Sequence, residues 1–198
     1  MKNNLIKILS VIIAFVMCTS LLADELEIKS KQLKLNKDTE IVLAEGNVQI
    51  SDKKNNVIFS EKAEYNKKKQ LMRSYGETDI ITSEKYRIQG TDIFYDNKNG
   101  TIFSKFETKI TDINGNVIFV SMFDYSVAKK MFFSQGNIKI LDNRKNEYLF
   151  SEIYIDEKER KIVGSDVKSF LNERSFKTDE KNEPRFFTNS AFIEKEGS

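Results

Sequence analysis

A fixed step of thirty residues constrains this chain more than any other feature. Gly46-Asn47-Val48-Gln49-Ile50 returns as Gly76-Glu77-Thr78-Asp79-Ile80, as Phe106-Glu107-Thr108-Lys109-Ile110, as Gly136-Asn137-Ile138-Lys139-Ile140, and in worn form as Asp166-Val167-Lys168-Ser169-Phe170. Two further columns keep the same step: Leu35-Asn36, Tyr65-Asn66, Tyr95-Asp96, Tyr125-Ser126 and Ile155-Asp156, then Ile28, Ile58, Ile88, Ile118 and Tyr148. Three columns in register without an inserted residue mark a repeat architecture. In such folds one unit cannot bury its apolar face alone and must stack on its neighbours.

Inside each unit the pattern is strand after strand. Met72, Ser74, Gly76, Thr78 and Ile80 alternate with Arg73, Tyr75, Glu77 and Asp79, and a period of two sends the two sets to opposite faces. Val42-Ala44-Gly46-Val48-Ile50, Phe132-Ser134-Gly136-Ile138-Ile140 and Ile102-Ser104-Phe106-Thr108-Ile110 repeat the inner set. Small residues in mid-strand let a sheet bend sharply. The outer set is mainly charged or polar, although Leu43, Phe103, Phe133 and Val163 break that rule in one column. In the second strand, Ile58 and Ser60 share one parity and Ala63 and Tyr65 the other, which predicts a corner near Glu61-Lys62 and at Thr91-Asp92, Ser121-Met122 and Ser151-Glu152. Asp52 to Asn56, Asn114-Gly115-Asn116, Asn66 to Lys69 and Asp96 to Gly100 supply turn chemistry between strands. The expected fold is therefore all-β: a twisted β-jellyroll or solenoid of stacked antiparallel strands built from thirty-residue repeats.

The first 23 residues differ in kind. Lys2 and Lys7 precede an apolar run from Ile8 to Cys18, and a small residue, Ala23, stands before Asp24. This reads as a secretory signal peptide cut after Ala23, because the run is shorter than the ~20 residues a spanning helix needs; the other reading is an uncleaved anchor. Residues 24–170 hold the repeats. Residues 171–198, with the single proline at Pro184, read as an extended exit segment leading toward a C-terminal barrel outside this sequence.

Composition then narrows the function. Lys and Arg total 32 against 30 Asp and Glu. That balance predicts no nucleic-acid partner. The only cysteine is Cys18 and histidine is absent, which leaves no intrachain disulfide, no cysteine or histidine metal cluster and no histidine base. No phosphate loop, dinucleotide fingerprint, nucleophile elbow or metalloprotease helix is present, so neither enzymatic activity nor a cofactor or metal is expected.

A stack of strands with one apolar face poses two physical questions. Its end strands carry unpaired backbone groups that want partners. Its inner face is either a closed core or, if the walls splay, a groove for acyl chains worth about 0.8 kcal/mol per buried methylene. Without a nucleotide loop, such a groove is a passive conduit.

Ala44-Glu45-Gly46-Asn47-Val48-Gln49-Ile50 followed by Ala63-Glu64-Tyr65, with Gly-Asn-x-x-Ile returning later, resembles the OstA-like family of lipopolysaccharide transport. That family takes in LptA-type periplasmic bridge proteins and the periplasmic domain of LptD-type assembly proteins, and the resemblance covers residues 26–170. The tail from Phe176 to Phe187 looks more like the LptD-type exit. The resemblance implies a periplasmic protein with a jellyroll open along one side. It also implies lipopolysaccharide as cargo and head-to-tail strand pairing with a sister domain. If the chain continues, it implies an outer-membrane barrel with its plug lipoprotein. The cysteines that tie many LptD-type domains to their barrel are missing here.

On this reading the groove is lined by Val48, Ile50, Ile80, Ile110, Ile138 and Ile140 from the first strands, by Ile58, Ile88 and Ile118 from the second, and by Tyr65, Tyr95 and Tyr125 beside them. Two alternatives stay open: a closed β-solenoid serving as scaffold or adhesin without lipid, and, much less favoured, a polysaccharide lyase on a β-helix.

Overall fold

The computed structural model describes residues 26–159, 161–172 and 184–194. The leader with Cys18, and residues 173–183 of the expected exit segment, lie outside the described residues.

Among these residues every regular element is a strand. In chain order they are β1 (Glu27–Lys29), β2 (Gln32–Asn36), β3 (Ile41–Ser51), β4 (Val57–Asn66), β5 (Leu71–Ile81), β6 (Arg87–Thr91), β7 (Phe94–Asp96) and β8 (Thr101–Ser104). They continue as β9 (Thr108–Thr111), β10 (Val117–Val120), β11 (Phe123–Ser126), β12 (Met131–Leu141), β13 (Glu147–Asp156), β14 (Lys161–Phe170) and β15 (Arg185–Glu194). All fifteen belong to one sheet. Four strand pairs, β1/β2, β6/β7, β8/β9 and β10/β11, are single tracks broken in the middle, so the sheet is an antiparallel meander in which each track pairs with its neighbours in sequence. The chain beyond residue 170 returns to the sheet: β15 lies antiparallel along β14 from Phe170↔Arg185 to Lys161↔Glu194.

Each track bends where the parity of the sequence breaks. The register slips between Glu45 and Val48, between Ser60 and Lys62, and between Gln135 and Ile138. Gly46 (φ +80°), Gly76 (φ +73°) and Gly136 (φ +103°) stand at these slips in the left-handed region, which glycine enters without steric cost. The inner-face assignment of Gly76, Gly136 and Phe106 fails here. All three are exposed at the fold line, because a register slip takes Gly76 and Gly136 out of the alternation and Phe106 stands in the break between β8 and β9.

The bends align into a spine, and the sheet folds along it into two facing walls. Two inner rows run unbroken across the strands. In the second wall, Ile28, Ile50, Ile58, Ile80, Ile88, Ile110, Ile118 and Ile140 stand directly opposite one another in succession, ending on Tyr148. In the first wall the row is Val42, Tyr65, Met72, Tyr95, Ile102, Tyr125, Phe132, Ile155 and Ile162. Directly opposed apolar side chains are what stabilise a sheet face, and these two rows contribute half of the buried hydrophobic cluster.

The turns repeat as strictly as the strands. Asp52, Asp112 and Asp142 each accept backbone N–H bonds from residues two and four positions on. Each is also held by the side-chain amide of Asn56, Asn116 or Asn146 at 2.7 Å. The same asparagines accept a backbone N–H from the next turn, at Ser83, Asn143 and Asn172. One turn departs: Thr82 stands where the ladder calls for aspartate and Tyr86 where it calls for asparagine.

Candidate functional site

What separates one end of the trough from the other is the size of the side chains nearest the spine. In the N-terminal half most of these are small: Ala44, Ala63, Ser74 and Ser104, beside the larger Ile93, on the first wall, and Ser60, Thr78, Gly90 and Thr108, beside Val48, on the second. The hydroxyls are satisfied locally, with Thr78 Oγ1 2.7 Å from Ser74 Oγ and Ser74 Oγ 3.0 Å from the Ile93 carbonyl oxygen. Small residues let the walls close. The residual space between Ile50, Ile58, Ile80, Tyr95 and Ile102 is about 10 Å³, too little for more than a single water.

In the C-terminal half Phe123, Ile153, Ile138 and Phe150 stand at equivalent positions, beside Val120, Ser134 and Gly164. The four large side chains act as a wedge, and the walls stand apart around a cavity of about 370 Å³. Ile88, Ile110, Ile118, Ile140 and Phe150 line it from the second wall, and Phe123, Tyr125, Phe132, Ile155 and Ile162 from the first. This volume falls in the range of small-molecule sites. Three hollows are larger: two, of about 740 and 910 Å³, lie outside the second wall, and one, of about 710 Å³, adjoins the cavity rim at Tyr86 and Glu157 with Lys129, Lys130 and Lys158 in its lining. Their linings mix lysine, glutamine, threonine and acidic residues, and they lack this apolar enclosure.

The predicted lining residues therefore divide. Ile88, Ile110, Ile118, Tyr125 and Ile140 stand on the cavity. Val48, Ile50, Ile58, Ile80, Tyr95 and Ile138 are buried in packed core. Tyr65 is half-buried, with Asn97 as hydrogen-bond partner and its hydroxyl pushed up by burial. Phe123, Phe132, Phe150, Tyr86, Glu157 and Ile162 line the cavity without having been singled out from sequence. For Phe150 the signal is departure from the repeat: its column reads Ser60, Gly90, Val120 and Phe150, small at the first two positions and largest at the last.

The rim is polar. Tyr95 Oη donates to Asp52 at 3.1 Å and ties the two walls together over the closed half. At the cavity, Tyr125 Oη donates to Glu157 Oε2 at 3.1 Å, and Tyr86, from the other wall, bonds the same carboxylate. Lys130 Nζ meets Glu84 at 2.9 Å across the same gap. Burial pushes the Glu157 carboxyl up from its usual range, against the two tyrosine hydrogen bonds and the Lys130 charge. Burial, reinforced by Glu157, pushes Tyr86 up to about 12 and raises Tyr125 further. Among the described residues there is no group of three or more metal-ligating side chains.

Fold and cavity together define a class: an antiparallel β-sheet folded over into a jellyroll-like trough, dry at one end and hollow at the other. A solved structure that this chain is similar to is LptH of Pseudomonas aeruginosa, described as the LptA-homologous periplasmic component of the conserved lipopolysaccharide transport device. It matches at 9% identity with a TM-score of 0.30, over 70% of this chain and 80% of that one. No family model matches the chain, and no curated protein matches it in sequence.

Proposed function

We propose that this protein is an exported lipopolysaccharide conduit that holds an acyl chain between its walls and passes it on without chemistry of its own. The observation that carries the reading is the continuous apolar interior that opens, at its C-terminal end, into a cavity with a hydrogen-bonded rim. Each methylene moved from water into it contributes about 0.8 kcal/mol. A chain of about ten methylenes therefore gains roughly 8 kcal/mol before the costs of ordering are subtracted. The resemblance of the repeat to the OstA-like family supports lipopolysaccharide as the cargo. The leader-like pattern of residues 1–23 supports the periplasm as the address, and the unpaired outer edges of β1/β2 and β15 support strand pairing with sister domains. An outer-membrane barrel and its plug lipoprotein join the partners if the chain continues beyond residue 198.

A photo-crosslinking residue tests this in cells. Placed at Ile118, on the cavity, it captures lipopolysaccharide; placed at Asp79, on the outer face, it does not; at Ile80, in packed core, capture is weak. Equal labelling at positions 118 and 79 overturns the reading. The packed N-terminal half favours the rival, a lipid-free scaffold or adhesin, which predicts no capture at any of the three.

A further inference from the structure

One column on the outer face of the first wall breaks the polar rule of that face. Along it Phe94, Phe103, Asp124, Phe133 and Tyr154 stand directly opposite one another on successive strands. Val163 and Phe192 carry the stripe on to the β15 edge, and these two and Tyr154 are exposed. The rings pair off on either side of the carboxylate. Phe94 stacks on Phe103 with centroids 5.0 Å apart, and Phe133 packs on Tyr154 at 4.6 Å. Asp124 is exposed, and among the described residues no hydrogen bond or ion pair reaches it. Its neighbours take water from it and raise its carboxyl, and no cation lowers it again. Lys105, in the break after β8, is exposed and does not pair with it.

The same column shows a complete set at its N-terminal end. Arg73 lies opposite Phe94, with its guanidinium 5.3 Å from the centroid of that ring and 3.1 Å from the Asp92 carboxylate. Ring, cation and carboxylate meet there within one chain. At Asp124 the rings and the carboxylate recur, and no side chain among the described residues supplies the cation.

We infer that this stripe is a docking surface for a partner protein, and that it takes an extended apolar segment carrying an arginine whose guanidinium pairs with Asp124 between the two ring pairs. The ground is charge complementarity on an apolar face. Covering the stripe with apolar side chains alone would strand the carboxylate away from water, which is costly, so an apolar cover must bring a cation with it. Arginine meets both demands. Its planar fork bonds a carboxylate through two parallel N–H groups, and its faces stack on aromatic rings. Lysine, a compact and strongly hydrated charge, meets the first demand less well. The interior of the trough plays no part, so the inference stands or falls apart from the lipid-binding reading.

Fluorescence anisotropy on the purified full-length chain tests it. The probes are dye-labelled, blocked heptapeptides with leucine two residues to either side of a central position that is arginine, lysine or citrulline. The arginine peptide is expected to bind about tenfold more tightly than the citrulline peptide, with lysine between them. Asp124→Asn, an exposed change that leaves the fold intact, should bring the arginine peptide to the citrulline level and leave citrulline binding unchanged. Arginine and citrulline peptides that bind alike, an arginine preference that survives Asp124→Asn, or no binding by the arginine peptide at millimolar concentration overturns the inference. Asp124-dependent binding to phosphatidylcholine vesicles would assign the stripe to lipid headgroups, and Asp124-dependent self-association would assign it to a second copy of the chain. Either result, without peptide binding, overturns the partner protein as its occupant.

Discussion

Glu157 is the residue at which the two walls, the cavity and the solvent meet. Its carboxyl is raised by burial, with Tyr125 and Tyr86 only partly offsetting that cost. A folded-state pKa above the unfolded one means that the folded protein binds this proton more tightly. The group's favourable contribution is therefore complete below the ordinary carboxylate range, declines as pH rises through the elevated folded value, and is absent at neutral pH. Glu157→Gln keeps an acceptor for Tyr125 and removes the charge, so it should melt at a higher temperature than the unaltered protein at pH 7. The two should converge in acid below the ordinary carboxylate range. Melting curves followed by circular dichroism across that range check this, and a gap that widens in acid contradicts it. Tyr86 tells the same story from the other wall. The asparagines at positions 56, 116 and 146 are turn residues visible in the sequence. The tyrosine that replaces one of them is the residue that reaches the rim. The repeat made the scaffold readable, and its exceptions marked the cavity.

At the scale of the strand, period and parity read out the all-β repeat and its corners near Glu61, Asp92 and Met122, because alternation at period two is a direct image of the pleat, while the breaks between β1 and β2 and between β8 and β9 carry no parity signal of that kind. The slips near Glu61, Asp92 and Met122 fall where the parity switches. What alternation cannot carry is the distance between walls. That depends on how side chains from strands far apart in sequence meet across the interior. For this reason Ile80 and Ile140, equivalent in the pattern, differ in the structure: one is wholly buried in the closed half and the other stands on the cavity. The wedge of β13 makes this testable. Gly164, opposite Ile153 on β14, has room for no side chain, since a Cβ there would lie 2.4 Å from Cδ1 of Phe150. Gly164→Ala should force that ring toward the cavity, costing about 1–3 kcal/mol as overpacking does. Urea unfolding should show a lower midpoint at an unchanged slope, and Nile red should bind more weakly. Lost stability with dye binding intact would separate Phe150 from the cavity.

The whole molecule is a stack with two dissimilar ends. At one, β1 and β2 form a broken edge that exposes Leu33 and Leu35; at the other, β15 exposes Phe186, Phe187 and Phe192. Apolar edge strands attract other strands. The thirty-residue period fades after Phe170, so the sequence alone reads as an exit segment there, and only the pairing of β15 with β14 reveals the second edge. Because the ends differ, joining one to the other is a head-to-tail contact that repeats without closing, whereas joining β15 to β15 would stop at a dimer. The apolar interior could then run on from one molecule to the next, as a conduit requires. Light scattering distinguishes the two modes. Head-to-tail pairing predicts a mass that climbs past the dimer as concentration rises. A Phe187→Lys, Phe192→Lys double variant, charged at one end only, should remain monomeric alone yet shorten the rods of the unaltered chain when mixed with it, because its β1/β2 end can still pair. A mass that levels off at two chains, or a variant that leaves the rods unchanged, would show that these edges do not meet end to end.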